Sequence, residues 1–335
     1  MDLRLLALPS IIINFILAFT IVAHFADRKP SCPFQMAEDD APPRPPVKMP
    51  PRPEQPRLTD LVIPFHAAHF DRVQKNLNSW VALPPCKILS PTDSIPEHGV
   101  ALDQQEFYSA HRRLGRNVTL TFAISSAANE ETRKKMRQMV GALPKRIRGC
   151  FSKVRVSFSG LEGTQDGYLK GTRYMFEAMI NGTIGLENPH YVLYMEPDMI
   201  PVRPYWLTAL DATTRFPVAP FWVKGSIYRG GNRNIHQAIH NALHINGNAI
   251  YNLADPAFRH FYYNKVLPKI DHQDAYDVDV AKFMSNIENY NCTQEVRHKF
   301  HYTDSIQNWW RWKYSLSKLK TASPNLYLIH GGIAV

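Results

Sequence analysis

Two carboxylates, Glu196 and Asp198, stand one residue apart directly behind the apolar and aromatic run Tyr191-Val192-Leu193-Tyr194-Met195. On an extended chain, side chains two residues apart face the same way, so this pair can share one cation or one diol. Carboxylate oxygens suit hard or borderline cations such as Mg²⁺ and Mn²⁺, the ions that accompany diphosphates. The plain alternative is an acidic pair that ends a strand in solvent. A second acidic pair, Asp277 and Asp279, stands just before Val280-Ala281-Lys282-Phe283-Met284, where an aspartate is most often a helix N-cap.

Other polar groups offer further chemistry. His244-Ile245-Asn246-Gly247-Asn248 places a glycine between asparagines, a turn with exposed amides and few steric barriers that suits sugar hydroxyls or simply joins two elements. Arg229, in Tyr228-Arg229-Gly230-Gly231, either reaches phosphates or makes an exposed salt bridge. Trp309-Trp310-Arg311-Trp312 offers stacking surface for a sugar, or else core or a partner patch. His330, after Leu328-Ile329, is a potential ligand or the cap of a last strand. The Gly331-Gly332 pair behind it lets backbone approach a diphosphate closely and has no evident packing use.

These residues need elements to hold them. Val118–Ile124, Val154–Phe158 and Tyr191–Met195 read as strands, and His69–Trp80, Asn129–Val140 and Gln165–Ile180 as helices. The alternation argues a parallel α/β sheet, with ligands beyond the carboxyl ends of its strands. In the second half, Phe221–Tyr228 and Leu326–Ile329 read as strands, and helices begin at Asp255-Pro256 and near Asp277 or Asp279.

Upstream, Leu5–Phe25 lacks Asp, Glu, Lys and Arg and approaches the roughly 20 residues that cross a bilayer. Residues 1–29 therefore read as a short tail and signal anchor. Eight prolines fall between Pro42 and Pro56, so residues 30–57 read as an extended stem. Residues 58–335 form the globular domain. Asn117-Val118-Thr119, Asn181-Gly182-Thr183 and Asn291-Cys292-Thr293 fit the glycosylation pattern, all downstream of the anchor. Together they imply a single-pass type II protein with a lumenal domain. Four cysteines in 335 residues allow at most two internal bridges and exclude a disulfide-dense mini-protein. The net charge of +10 favours anionic ligands or surfaces, but no nucleic-acid-binding motif is present and nucleic acid is not expected as a partner.

The order of anchor, proline-rich stem, strand–helix units, acidic pair and terminal histidine resembles the GT-A family of nucleotide-sugar glycosyltransferases. "YVLYMEPD" (Tyr191 to Asp198) looks like that family's strand ending in Asp-x-Asp, with Glu196 in place of the first aspartate. The resemblance implies a Rossmann-like mixed α/β sheet with helices on both faces, a Golgi or other secretory-pathway membrane, and Mn²⁺ or Mg²⁺ held by Glu196, Asp198 and His330. It further implies sugar transfer from a nucleoside diphosphate sugar to a glycan or glycoprotein. Asp166, Lys170 and Arg173 become candidate base or phosphate contacts beside Arg229. His244, Asn246, Gly247, Asn248, Trp309 and Trp310 become acceptor-binding candidates, and Asp277 or Asp279 a candidate base on the acceptor hydroxyl. Such a base is needed because an alcohol attacks poorly without proton removal, typically worth about 10² to 10⁴-fold. A homodimer is left open. The second reading is a membrane-anchored sugar-binding or scaffold protein with this fold and no turnover.

Overall fold

The computed structural model describes residues 56–86, 117–167, 169–215, 217–229, 244–270, 274–310 and 312–334. The expected anchor over residues 5–25 and nearly all of the stem lie outside them. Among the described residues no helix is long and apolar enough to cross a membrane.

The chain runs through β1 (Leu58–Phe65), α1 (Phe70–Ala82), β2 (Val118–Ile124), α2 (Glu130–Gly141), β3 (Phe151–Phe158), α3 (Lys170–Ile180), β4 (Tyr191–Tyr194), β5 (Met199–Pro201) and α4 (Trp206–Arg215). It continues through β6 (Val223–Ile227), β7 (Ile245–Asn252), α5 (Pro256–Phe261), α6 (Tyr276–Ser285), β8 (Phe300–Tyr302), β9 (Ile306–Asn308), β10 (Lys313–Tyr314), α7 (Leu316–Ala322), β11 (Leu328–His330) and β12 (Ile333–Ala334). The main sheet has seven strands in the order β3-β2-β1-β4-β7-β6-β8.

Strands β3, β2, β1 and β4 are parallel, as the strand–helix alternation of the first half predicts. The sheet as a whole is mixed. β7 runs antiparallel to both β4 and β6, so the wholly parallel arrangement fails in the second half, where the alternation had already faded.

Alternation along β1 sorts its side chains between two cores. Leu61, Ile63 and Phe65 pack with α1, α2 and α4 on one face, and Val62 joins α3, α5 and α6 on the other. Helices therefore cover both faces of the sheet. Asn129 caps α2 by accepting from Thr132 N at 3.2 Å. The long helix expected over Gln165–Ile180 is broken: a 3₁₀ turn, Gly163–Asp166, is separated from α3 by Leu169 at φ 72°. Cys86, beyond α1, is joined to Cys150, before β3.

A small sheet, β5-β11-β9, sits beyond the main one. Antiparallel pairing of β11 with β5 sets His330 opposite Met199, and parallel pairing with β9 sets it beside Asn308. That register brings the last strand of the chain to the acidic segment behind β4.

Candidate active site

The acidic segment is a turn, not an extended strand. After Met195 N donates to Val62 O (2.9 Å), the chain bends, and Met199 N donates back to Glu196 O (3.0 Å). Asn76, buried in α1, fixes the bend by donating to Pro197 O at 3.2 Å and Met199 O at 2.8 Å. Its own carbonyl accepts from Trp80 Nε1 at 2.9 Å, so the amide cannot rotate freely. The expectation that extended chain alone aligns Glu196 and Asp198 is therefore corrected: the turn does it.

Both carboxylates meet His330. Nε2 lies 3.0 Å from Glu196 Oε2 and 3.3 Å from Asp198 Oδ1. Nε2 is buried and faces both oxygens at once, an arrangement that suits ligands ranged around a shared cation. One ligand atom from each of the three residues lies within 4.8 Å of the others. His330 Nδ1 donates to Asn308 Oδ1 at 3.2 Å, which leaves Nε2 as the ligating nitrogen of the neutral ring. Trp310 stacks on the same ring at 5.8 Å.

Without a cation the cluster holds a proton instead. Burial alone would lower His330, but the facing Glu196 and Asp198 overcome it and raise the imidazole to about 10. Burial likewise works to raise Asp198, and the His330 contacts hold it below the usual carboxylate range. Two oxygens and one imidazole form a donor set suited to Mn²⁺, and also able to take Mg²⁺.

Asn248, fully buried on β7, couples this cluster to the segment expected to bind an acceptor, which is a largely buried stretch of that strand and not the expected turn with exposed amides. Its Oδ1 accepts from Glu196 N at 2.7 Å, and its Nδ2 donates to Glu196 Oε2 at 3.2 Å and Asn246 Oδ1 at 3.0 Å. Asn246 Nδ2 lies 3.5 Å from Asp277 Oδ2, which also accepts from Gly247 N (2.8 Å) and faces His244 Nε2 (2.8 Å). A polar track therefore joins Glu196, Asn248, Asn246, Asp277 and His244. Burial pushes the Asp277 carboxyl up, but His244 and the Gly247 amide outweigh it and hold it low. Surrounded by these donors, Asp277 is better built to orient groups than to take a proton. Neither aspartate caps α6, whose N-cap is Ala275.

Other candidates lie elsewhere. Asp279 is fully buried and faces Arg173 at 3.8 Å, while Arg173, 4% exposed, also reaches Glu177 at 3.8 Å. This pair belongs to the interior between α3 and α6, so the structure does not bring Asp279 to an acceptor or Arg173 to a phosphate. Asp166 meets His66, at the end of β1, at 3.2 Å, and Lys170 is exposed at the start of α3. Arg229 pairs with Asp304. Trp309 packs with Val202, Tyr314 and Ile329 rather than facing the carboxylates. Gly331 and Gly332 have the packing use that the sequence hides. At φ 63° and 76° they carry the chain past the tryptophans, and a Cβ on Gly332 would fall 2.8 Å from Trp309 O.

No family model matches the chain, and no curated protein matches it. Among solved structures, it is similar to the galactosyltransferase LgtC in complex with donor and acceptor sugar analogs, at 12% identity and TM-score 0.44 over 82% of this chain and 87% of that one. It is also similar to mouse xyloside xylosyltransferase 1, at 12% identity and TM-score 0.43 over 82% and 97%. A third is the mannosyltransferase PcManGT from Pyrobaculum calidifontis in complex with GDP-Man and Mn²⁺, at 10% identity and TM-score 0.38 over 77% and 57%. These similar structures are glycosyltransferases.

Sequence reasoning missed the amides that hold the site. Asn76 and Asn308 appeared in no motif, and Asn248 was singled out for an acceptor rather than for Glu196. One signal was available: an asparagine inside an apolar helix or strand pattern requires a partner once buried. Arg72 and His69, at the start of α1, were also missed, although both lie close enough to Asp198 to interact with it electrostatically.

Proposed function

We propose that this chain is a metal-dependent glycosyltransferase that moves a sugar from a nucleoside diphosphate sugar to a glycan or glycoprotein. The observation that carries the reading is the convergence of Glu196, Asp198 and buried His330 at the carboxyl end of β4, where open α/β sheets place ligands. Glu196, Asp198 and His330 would hold Mn²⁺ or Mg²⁺, which would supply charge neutralisation for a departing diphosphate. The chain's own residues prepare for that step. Asn308 fixes the imidazole tautomer, Asn248 orients Glu196, and Asn76 holds the turn that carries Asp198. Arg72 and Lys170 add positive field for an anionic donor. Asn246 and the Gly247 segment extend the polar track towards the acceptor.

The test is donor hydrolysis and transfer by the full chain across a panel of nucleotide sugars, with and without Mn²⁺. Metal-dependent turnover with at least one donor is expected. Unchanged turnover in excess EDTA would refute the metal role, and binding of nucleotide with no turnover on any donor would favour the sugar-binding alternative.

The same reading places the domain in the lumen of a Golgi or related membrane, anchored through residues 5–25. The Cys86–Cys150 disulfide and the exposed Asn117 and Asn181 support an oxidising, glycosylating compartment. Endoglycosidase should increase the mobility of protein made in eukaryotic cells. No shift, together with a protease-sensitive C-terminus in intact microsomes, would reverse the orientation.

A further inference from the structure

A cavity of about 250 Å³ lies between α6 and the sheet strands β6, β7 and β8. Close-packed interiors leave few voids larger than a water molecule, and an apolar cavity of about 150 Å³ already takes up benzene. Its aromatic wall includes Phe176, Tyr251 and Tyr276, with Phe176 and Tyr276 stacked at 3.8 Å. The two tyrosine hydroxyls are turned into the backbone, where both donate to Gly247 O, at 2.8 and 2.9 Å. The rings thus present carbon to the cavity. Exposed Ser285 and half-exposed Tyr302 give it access to solvent.

The cavity is not remote from the polar track. Asp277 lines it, and the same carboxylate receives Gly247 N and faces His244. Gly247 is therefore held by Asp277 through its N–H and by the cavity's two tyrosines through its carbonyl. The next residue, Asn248, holds Glu196. Gly247 and Asp277 are thus shared between the cavity wall and the polar track that leads to Glu196.

We infer that this cavity receives the apolar group, an aryl ring or a short alkyl chain, attached to the sugar of a glycoside acceptor. The inference rests on the transferase reading for its sugar half and on the cavity alone for its apolar half. Asp277, Ser285 and Arg297 belong to the lining, but most of the wall is aromatic and aliphatic, so a free sugar gains little there, whereas a ring or chain leaves water.

The test uses the full chain and matched methyl, phenyl and hexyl glycosides of glucose, galactose, mannose and xylose, hexyl compounds being kept below micelle formation. Binding is measured directly by calorimetry, with UDP and Mn²⁺ present and absent. Phenyl or hexyl glycosides of at least one sugar should bind about 10- to 100-fold more tightly than the methyl glycoside, the range expected for burying one such group. Preference for phenyl would assign an aryl group, and preference for hexyl an alkyl chain. Ala281→Phe, which fills the cavity from α6, should remove the preference while leaving methyl glycoside binding and the Mn²⁺-dependent thermal shift unchanged. Ser285→Trp obstructs the exposed end from a position that folding tolerates, and should act the same way should Ala281→Phe not fold.

Equal binding of all three glycosides of every sugar would overturn the inference. So would a preference that survives in a folded Ala281→Phe protein or in Ser285→Trp. Phenol and hexanol binding as tightly as their glycosides would also overturn it, because the cavity would then serve apolar molecules in general. Loss of the transferase reading looks different: no turnover on any donor, with the glycoside preference and its sensitivity to both variants intact.

Discussion

Raising the pH should tighten Mn²⁺ binding, and His330→Gln should abolish that dependence. In the metal-free protein, Glu196 and Asp198 raise His330 to about 10, so its ring is doubly protonated near neutrality. Asn308 holds the Nδ1 proton, and a cation can reach Nε2 only by displacing the other. At pH 7, about three units below that value, roughly one molecule in 10³ has a bare Nε2. Apparent affinity should therefore lie about 10³-fold below its limiting value and rise about tenfold per pH unit from 6 to 9. The metal-free protein has the opposite sign. A raised histidine contributes stability that is fully present below about 6.5 and fades as pH climbs towards about 10, so in EDTA this group should lower the melting temperature between pH 7 and 9. Glutamine cannot titrate, so the variant should bind Mn²⁺ weakly with a flat profile from this group. The assay is Mn²⁺ titration by electron paramagnetic resonance at four pH values, with thermal melts as the folding control. A flat wild-type profile, or a His330→Gln profile as steep as wild type, would refute the reasoning.

Three further outcomes follow from the same geometry. Asp198→Asn keeps the volume and removes the charge, so the fold should survive while turnover falls about 10² to 10³-fold, as for loss of one electrostatic contact in a transition state; an active variant with normal Mn²⁺ dependence would move the site elsewhere. Asn248→Ala removes both contacts that orient Glu196, and steady-state kinetics should show Mn²⁺ affinity falling about 10- to 100-fold, with Asn248→Asp unable to restore it because a carboxylate cannot donate to Glu196 Oε2. Cys150→Ser opens a loop whose ends are 64 residues apart, and denaturant unfolding should show a loss of about 4 kcal/mol on the chain-entropy account; unchanged stability would mean that the bridge does not form in the expressed protein.

The parts of the fold legible in the sequence are those whose signal is local. Val118–Ile124 is β2 residue for residue, because its apolar content and β-branched residues act within one strand. Asn129 marks the start of α2 for the same reason: a cap acts over three residues. The extended reading of Gln165–Ile180 as one helix failed because nothing in its composition announces Leu169 at φ 72°. The direction of β7 was illegible for a different reason. Parallel or antiparallel pairing with β4 is decided by a connection and a register more than 50 residues away, and the same strand pattern serves both.

The site divides along the same line. Glu196 and Asp198 were legible because they sit directly behind an apolar strand, and His330 because it ends one. What the sequence does not contain is the set of contacts that makes them a cluster. His330 reaches Asp198 only because β11 pairs with β5 and β9 at once, so three segments separated by up to about 130 residues must all be in register. Asn76, Asn248 and Asn308 close that arrangement, each from a different element; Asn76 and Asn308 belong to no motif, and Asn248 reads in sequence as an acceptor contact. Arg173 and Asp279 show the reverse: two charges that looked available for ligands are matched to each other inside the protein. Burial sorted the charged and polar candidates. Glu196 and Asp198 remain partly exposed around a buried imidazole, open to a ligand from solvent, whereas Arg173 and Asp279 face each other in the interior between α3 and α6.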